Sequence, residues 1–446
     1  MFKNIKSVYI IGIGGISMSA IALLLQERGI IIKGSDEVIS SMTKKLQEKG
    51  IEIIEGSAPD FVRSCEAVLA TAAAAETHPD IILARMLNKK IFSRAEVLGF
   101  LCKNKKTISV AGTHGKTTTT GMIATIMLKA GLDPTIHIGG ILNEINSNLH
   151  VGKGEYFLTE ACEYKDSFLY LKSDISVILN VEADHMDYFK NIDNLNNSFK
   201  KFAKNTKKEG VCVVCDSFSG KMASNSVKMA TFGKSSSAML KAGEIAMWKE
   251  GRYSYNLFLN DEYVAKIYLS AFGQHNIQNS LAAVWVGILL GIDIQTIAAA
   301  LKEYKGVSRR MEQVCDRPLI IHDYAHHPTE IEATIKACKE IKSKVVAIFQ
   351  PHTYTRTRDL YNDFLSCFGG AEEVWLLPIY PAREKPIKNI TSENLSKDLY
   401  KMGIKSRYFS SFEECAKAII QRGEESFYAI LGAGDIEKLA IMMKNN

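Results

Sequence analysis

The sequence predicts an α/β protein built from three consecutive domains. Its 446 residues are roughly three times a common domain length. Short β-branched runs alternate with amphipathic stretches along most of the chain, the pattern of βα units and parallel sheets. The alternation changes character twice, at the charged stretch Lys103–Lys106 and near Cys315, which divides the chain into residues 1–105, 106–314 and 315–446.

Composition bounds the function. The net charge of +6 is spread in short pairs such as Lys105-Lys106 and Lys200-Lys201, with no basic block interleaved with aromatics, so no nucleic-acid partner is expected. The nine cysteines are scattered. Cys212 and Cys215 stand three apart on a strand-like run and point to opposite faces, a poor metal or redox geometry, so the cysteines read as reduced core residues. The opening stretch MFKNIKSVYIIGIGG carries neither a cleavage site nor an unbroken apolar span of about 20 residues. A cytoplasmic protein without stable membrane association is expected.

In the first domain a strand over 7–13, a helix over 18–26 and a strand over 30–34 are followed by three more strand–helix alternations to about Cys102. The first turn reads Gly12-Ile-Gly14-Gly15-Ile-Ser17, with Ser where the dinucleotide fingerprint places a third glycine. Gly12, Gly14 and Gly15 can still approach a pyrophosphate, and Ser35-Asp36 lies about 20 residues on, where such enzymes hold a ribose. Taken alone, this domain also fits a dehydrogenase.

The second domain opens with a strand over 107–111 that runs through Gly112-Thr113-His114-Gly115-Lys116-Thr117-Thr118 into a helix-forming stretch. Such a turn offers backbone N–H groups and a helix N-terminus to phosphate. Lys116 would reach the β- and γ-phosphates and the Thr117 hydroxyl would bind Mg²⁺. The full P-loop pattern wants glycine six residues before the lysine, where this chain has Val110. Carboxylates follow at two strand ends, in Thr159-Glu160-Ala-Cys-Glu163 and in Glu182-Ala-Asp184-His185-Met-Asp187, as an oxygen-liganded Mg²⁺ site requires. His185 is an unusual Mg²⁺ ligand, and by itself reads equally as a supporting residue. Residues 228–269 lack helical periodicity and predict a small antiparallel sheet, followed by helices over 277–290 and 293–303. In the third domain strands are expected at 318–321, 344–349, 374–377 and 427–431.

The loop GTHGKTT, the segment NVEADHMDYF and Gly273-Gln-His275-Asn276-Ile-Gln-Asn279 together resemble the Mur ligase family. Asp323-Tyr324-Ala-His326-His327-Pro328 and Gln350-Pro-His352-Thr-Tyr-Thr-Arg356-Thr-Arg358 narrow the resemblance to the member that attaches L-alanine to UDP-N-acetylmuramate in peptidoglycan precursor synthesis. The resemblance implies a Rossmann-like N-terminal domain for the UDP-sugar, a central P-loop ATPase domain and a Rossmann-like C-terminal domain that closes over ATP. By the same resemblance, Lys116 and Thr117 hold phosphates and Mg²⁺, and Glu160 and His185 serve two Mg²⁺ ions. His275, Asn276 and Asn279 contact adenine, and Arg310 and Asp323 reach phosphate and ribose. Tyr324, His326, His352 and Arg356 lie near the muramoyl group and the amino acid. A monomer or weak homodimer is expected.

Each role has a simpler alternative. His275 and Asn276 could be helix caps, His326-His327 a helix-entry turn, and one of Arg356 and Arg358 a solvated charge. The implied reaction is carboxylate–amine ligation: γ-phosphate transfer gives an acyl phosphate, and the amine of alanine displaces phosphate. A general base is expected among His326, His327 and His352. The competing expectations are a sister ligase that attaches a tripeptide to the same UDP-sugar, a nucleotide-dependent binding protein, and the dehydrogenase.

Overall fold

The computed structural model describes residues 4–71, 74–222, 227–382 and 384–444, with only the backbone described at Asp187. Three sheets account for its strands.

The first contains β1 (Ser7–Ile11), β2 (Ile31–Asp36), β3 (Glu52–Glu55), β4 (Ala67–Ala70) and β5 (Lys90–Ser93), all parallel in the order β3-β2-β1-β4-β5. The chain reverses its winding between β1 and β4, which opens a crevice at their C-terminal ends. The turn after β1 lies there and leads into the helix Ile16–Gln26. One face of the sheet packs Tyr9, Ile11, Phe61, Val62, Val68 and Ile81 into a core.

The second sheet has ten strands: β6 (Lys106–Ala111), β7 (Thr135–Leu142), β8 (Ser147–His150), β9 (Tyr156–Glu160), β10 (Ile175–Ile178), β11 (Val211–Cys215), β12 (Lys228–Gly233), β13 (Leu240–Lys249), β14 (Arg252–Leu259) and β15 (Glu262–Phe272). Their order is β15-β14-β13-β12-β11-β10-β6-β9-β7-β8. From β7 to β13 all pairs are parallel, and β8 is antiparallel to β7. The small antiparallel sheet expected over 228–269 is therefore not separate. β12 joins the parallel set, and β13–β15 extend the same sheet through two-residue turns that only antiparallel neighbours allow. At the second turn Asn260 and Asp261 both take positive φ, the hairpin geometry that Asn and Asp tolerate. Cys212 and Cys215 are fully buried on β11, and every cysteine is free.

The third sheet runs β16-β17-β21-β18-β19-β20, from β16 (Glu312–Asp316), β17 (Leu319–Asp323), β18 (Val345–Phe349), β19 (Glu373–Leu376), β20 (Ser406–Tyr408) and β21 (Phe427–Leu431). Only β16 is antiparallel. Apolar cores cover both faces, one around Phe349, Phe364 and Phe368 and one around Trp375, Tyr428 and Ile430. The boundary expected at 314/315 falls inside β16. That strand is short and half-buried, and its pairing with β17 is invisible to local periodicity.

By compactness the chain forms two units. One comprises Met1–Glu244, Asn256–Ile267 and Gln278–Tyr304; the other comprises Ile245–Tyr255, Tyr268–Ile277 and Lys305–Asn446. The first two sheets thus share a unit for most of their extent.

Candidate active site

The phosphate loop leaves β6 at Ala111 and enters the helix Lys116–Lys129 through Gly115, which has φ +82°. A Cβ at Gly115 would also collide with the Asn279 side chain, so glycine is required twice over. Val110, where the full pattern wants glycine, is a fully buried strand residue paired with Glu160 and Val177. The loop begins two residues later, at Gly112, and Asn180 beyond β10 braces it. Asn180 Oδ1 accepts from His114 N–H at 2.8 Å, its Nδ2 donates to the His114 carbonyl at 3.1 Å, and its own carbonyl accepts from Thr113 N–H at 3.2 Å. The Thr113 hydroxyl accepts from Glu182 N–H at 2.9 Å. Thr117 is buried, and the Thr118 carbonyl accepts from the Tyr304 hydroxyl at 3.4 Å. The first-turn N–H groups of the helix have no carbonyl within the helix to meet.

Lys116 is drawn back into this loop. Its ammonium donates to the carbonyls of Gly112 at 2.5 Å and Thr113 at 3.0 Å, and to Glu163 Oε1 at 3.1 Å. Glu163 is 2 % exposed, and a carboxylate so buried is stable only when paired. The imidazole of His185 stands 3.6 Å from Glu163 and 3.8 Å from Asp184. Ligand atoms from Glu163, Asp184 and His185 all lie within 4.8 Å of one another, the one such trio of acidic, His or Cys residues among the described residues. Glu160 is not part of it: its Oε1 accepts from Gly139 N–H at 2.7 Å. Glu160 closes β9, whereas Glu163 stands three residues on, immediately before the short helix Tyr164–Tyr170. Asp184 and Glu163 stand in the stretches singled out by sequence, but only the fold shows which carboxylates converge.

The N-terminal turn is of another kind. Gly12 and Ile13 N–H donate to the Ser35 carbonyl at 2.8 and 3.0 Å, Gly14 N–H to Asp36 Oδ2 at 2.8 Å, and Gly15 N–H to the Gly12 carbonyl at 3.3 Å. A Cβ at Gly14 would lie 3.0 Å from that same Asp36 oxygen. Asp36 Oδ1 also accepts from Glu37 N–H at 2.9 Å. Ser35 is buried, its hydroxyl 2.6 Å from that of Tyr9, which donates in turn to Asp80 at 2.6 Å. Ser35 and Asp36 therefore hold the shape of the turn.

In the C-terminal unit the ends of β17, β21 and β18 come together. Asp323 Oδ2 accepts from Met311 N–H at 2.7 Å and Oδ1 from Ala325 N–H at 2.9 Å. Burial raises its pKa, opposed by Arg310. Arg310 and Arg309 lie over the Tyr324 ring, 5.3 and 4.8 Å from its centre. Arg309 also donates to the carbonyls of Gly432 and Gly434, both at 3.0 Å. His326 and His352 face each other with ring centres 6.1 Å apart, and His352 stacks on Tyr380. Arg356 donates to His352 Nδ1 at 3.1 Å and to its carbonyl at 2.9 Å, whereas Arg358 is exposed and paired with Asp359. Burial lowers the pKa of both histidines, against the pull of Glu330 at His326 and helped by Arg356 at His352, which falls to about 4. Their tautomers follow from their partners. A guanidinium only donates, so His352 Nδ1 accepts and its proton sits on Nε2. A carbonyl only accepts, so His326 Nδ1, 3.0 Å from the Tyr324 carbonyl, carries the proton and Nε2 keeps the lone pair. His327 is exposed at the start of the helix Pro328–Ile341.

Of the remaining expected residues, His275 and Asn276 group with the C-terminal unit and Asn279 with the first. Asn276 is buried, and its amide donates to the Phe272 carbonyl at 2.6 Å.

The comparisons with known proteins agree across the whole chain. Residues 7–106 match the Mur ligase family catalytic domain, 110–287 the Mur ligase middle domain and 309–434 the Mur ligase glutamate ligase domain. The chain is 42% identical over 446 residues to a UDP-N-acetylmuramate–L-alanine ligase of Caldicellulosiruptor bescii, covering 98% of each. It is 42% identical over 445 residues to that of Clostridium acetobutylicum, covering 98% of this chain and 97% of the relative. Among solved structures, the UDP-N-acetylmuramate–alanine ligase of Thermotoga maritima superposes with a TM-score of 0.83 at 26% identity, covering 98% of both chains.

Proposed function

The chain belongs to the Mur ligase family, and we propose that it joins L-alanine to UDP-N-acetylmuramate with cleavage of ATP, in peptidoglycan precursor synthesis. The observation that carries this is likeness to curated ligases of that specificity along nearly the full length, at 42% identity. The geometry of the phosphate loop supports it.

A carboxylate and an ammonium do not condense unaided in water. An oxygen of the lactyl carboxylate attacks the γ-phosphorus, ADP leaves, and an acyl phosphate forms. The free amine of alanine adds to the acyl carbon, and the tetrahedral intermediate expels phosphate to leave the amide. Little covalent work falls to the protein, so catalysis is positioning and charge neutralisation. Lys116, released from the Gly112 and Thr113 carbonyls, takes the β- and γ-phosphate oxygens, and the N-terminus of the helix Lys116–Lys129 receives the remaining charge. Glu163, Asp184 and His185 fit Mg²⁺: their ligand atoms lie within 4.8 Å of one another, and the buried Glu163 Oε2 makes no hydrogen bond, its neighbour being the Lys116 ammonium at 3.1 Å. Mg²⁺ bound there supplies charge neutralisation for the transferring phosphoryl group. Thr117 is its companion ligand, and Glu160 supports the loop at Gly139.

Arg310 and Asp323 act on ATP from the C-terminal domain, with Asp323 setting the Arg310 segment through Met311 N–H. His326 is the general base for the alanine ammonium, because its Nε2 lone pair is available. His352 and Arg356 bind the carboxylates, with Tyr324 as neighbour. The reaction is expected in the cytoplasm; no helix among the described residues is long and apolar enough to cross a membrane.

The test is turnover by the purified chain with ATP, Mg²⁺ and UDP-N-acetylmuramate, offered L-alanine, glycine, L-serine or the stem tripeptide. Phosphate release with L-alanine preferred is the expected result. Release with the tripeptide alone would assign the sister specificity, and release with no acceptor would refute both.

A further inference from the structure

Ser17, the departure from the glycine fingerprint, has a partner outside its own domain. It lies in the first turn of the helix Ile16–Gln26, and its hydroxyl sits 2.9 Å from His137 Nε2 on β7 of the ten-stranded sheet. Arg94 Nη1 donates to the same hydroxyl oxygen at 3.1 Å. On the far side of the imidazole, His137 Nδ1 is 2.9 Å from the Thr159 hydroxyl, its register partner on β9, and Thr159 donates to the Glu160 carbonyl at 3.0 Å.

The ends of this chain fix every direction in it. Arg94 can only donate and a carbonyl can only accept. The Thr159 proton goes to Glu160, so Thr159 accepts from His137 Nδ1–H, and His137 Nε2 accepts the Ser17 proton. The run is therefore Arg94 to Ser17 to His137 to Thr159 to Glu160, each group donating to the next. It requires a neutral imidazole, and burial together with the Arg94 guanidinium keeps His137 neutral by lowering its pKa to about 3. His137 is 3 % exposed and Thr159 fully buried, so no water replaces a missing link. A second grip lies alongside: Asn148 on β8 donates to the Ile16 carbonyl at 2.5 Å. Glycine at position 17 would leave His137 Nε2 and one Arg94 N–H unpaired.

We propose that Ser17 is a positioning residue, which through His137 and Thr159 sets the N-terminal glycine turn in fixed register against the strand leading to Glu160 and Glu163. This rests on the N-terminal domain being the UDP-sugar site. The strut then fixes the span between the UDP-sugar and the metal-binding carboxylates, so that the lactyl carboxylate meets the γ-phosphate. It touches no reacting atom.

The test is steady-state kinetics of the full chain with each substrate varied in turn, for wild type, Ser17→Ala, Ser17→Thr, His137→Phe and Ser17→Ala/His137→Phe. Ser17→Ala should raise KM for UDP-N-acetylmuramate about tenfold, the loss expected when buried donors and acceptors go unpaired. KM for ATP and L-alanine should stay within about twofold, and Ser17→Thr should recover most of the loss. The double variant should be no worse than about twofold beyond Ser17→Ala, because both changes break one strut. In ¹⁵N-histidine-labelled wild type, His137 should show the neutral form protonated on Nδ1. An unchanged KM for the UDP-sugar, a loss spread over all three substrates without rescue by threonine, or a proton on Nε2 would each overturn the proposal. If wild type fails to turn over UDP-N-acetylmuramate, the ligase reading fails first and the strut loses its function with it.

Discussion

Two glycine turns leave parallel strands, β1 of the first sheet and β6 of the second, and they are built for opposite ends. At the N-terminal turn the N–H groups of Gly12, Ile13, Gly14 and Gly15 are all engaged within the domain, by Ser35, Asp36 and Gly12. At the central turn the protein braces only the shoulder, through Asn180, and leaves the helix N-terminus and Lys116 facing a buried carboxylate. A turn whose donors are engaged is a rigid surface on which a ligand rests. A turn whose donors and lysine can exchange partners is where charge is moved. The same contrast recurs between two histidines: His352 is held by Arg356, while His326 keeps an available lone pair.

The sharpest way to break this comparison is Lys116→Ala, expected to lower kcat about a thousandfold while UDP-sugar binding measured by titration calorimetry stays within a few-fold. Next comes a paired substitution. Glu163→Gln should lower kcat about a hundredfold and move the Mg²⁺ activation midpoint upward, while Glu160→Gln should change either by less than about tenfold. Equal effects at both glutamates would erase the distinction between a ligand and a loop support. His326→Gln should reduce kcat/KM for L-alanine about a hundredfold, with a much smaller effect from His352→Gln on the pH–rate profile. Asp36→Asn keeps the shape but weakens the clamp on Gly14, and should raise KM for the UDP-sugar about tenfold at nearly unchanged kcat.

The smallest effect is on stability. His352 is held to about 4 in the folded chain, against roughly 6.5 unfolded. Between those values the unfolded chain takes up a proton that the folded chain refuses, so folding weakens as pH falls through that window and is unaffected above it. Urea titrations from pH 7 to pH 4 should show a shallower decline in His352→Gln.

Much of this contrast could be read from the residues. The phosphate loop was legible because its glycines, lysine and threonines are contiguous and a strand and a helix flank them. The parallel alternation of the first and third domains was legible for the same local reason. The metal is expected at Glu160 and His185, yet the residues that converge are Glu163, Asp184 and His185, because Glu160 accepts from Gly139 N–H on β7, a partner that no local pattern announces. β16 and β20 escaped notice as short, partly exposed edge strands. His137 gave no signal at all, since a histidine inside a strand reads as core until its partners on another domain are seen.

The most direct test follows the oxygen atom. UDP-N-acetylmuramate labelled with ¹⁸O at both oxygens of its lactyl carboxylate is turned over with ATP, Mg²⁺ and L-alanine, and the released phosphate is weighed by mass spectrometry. One labelled oxygen should appear in each phosphate from wild type and from Asp36→Asn at raised substrate, and Lys116→Ala should release almost none. Unlabelled phosphate from wild type, or undiminished labelled phosphate from Lys116→Ala, would contradict the account.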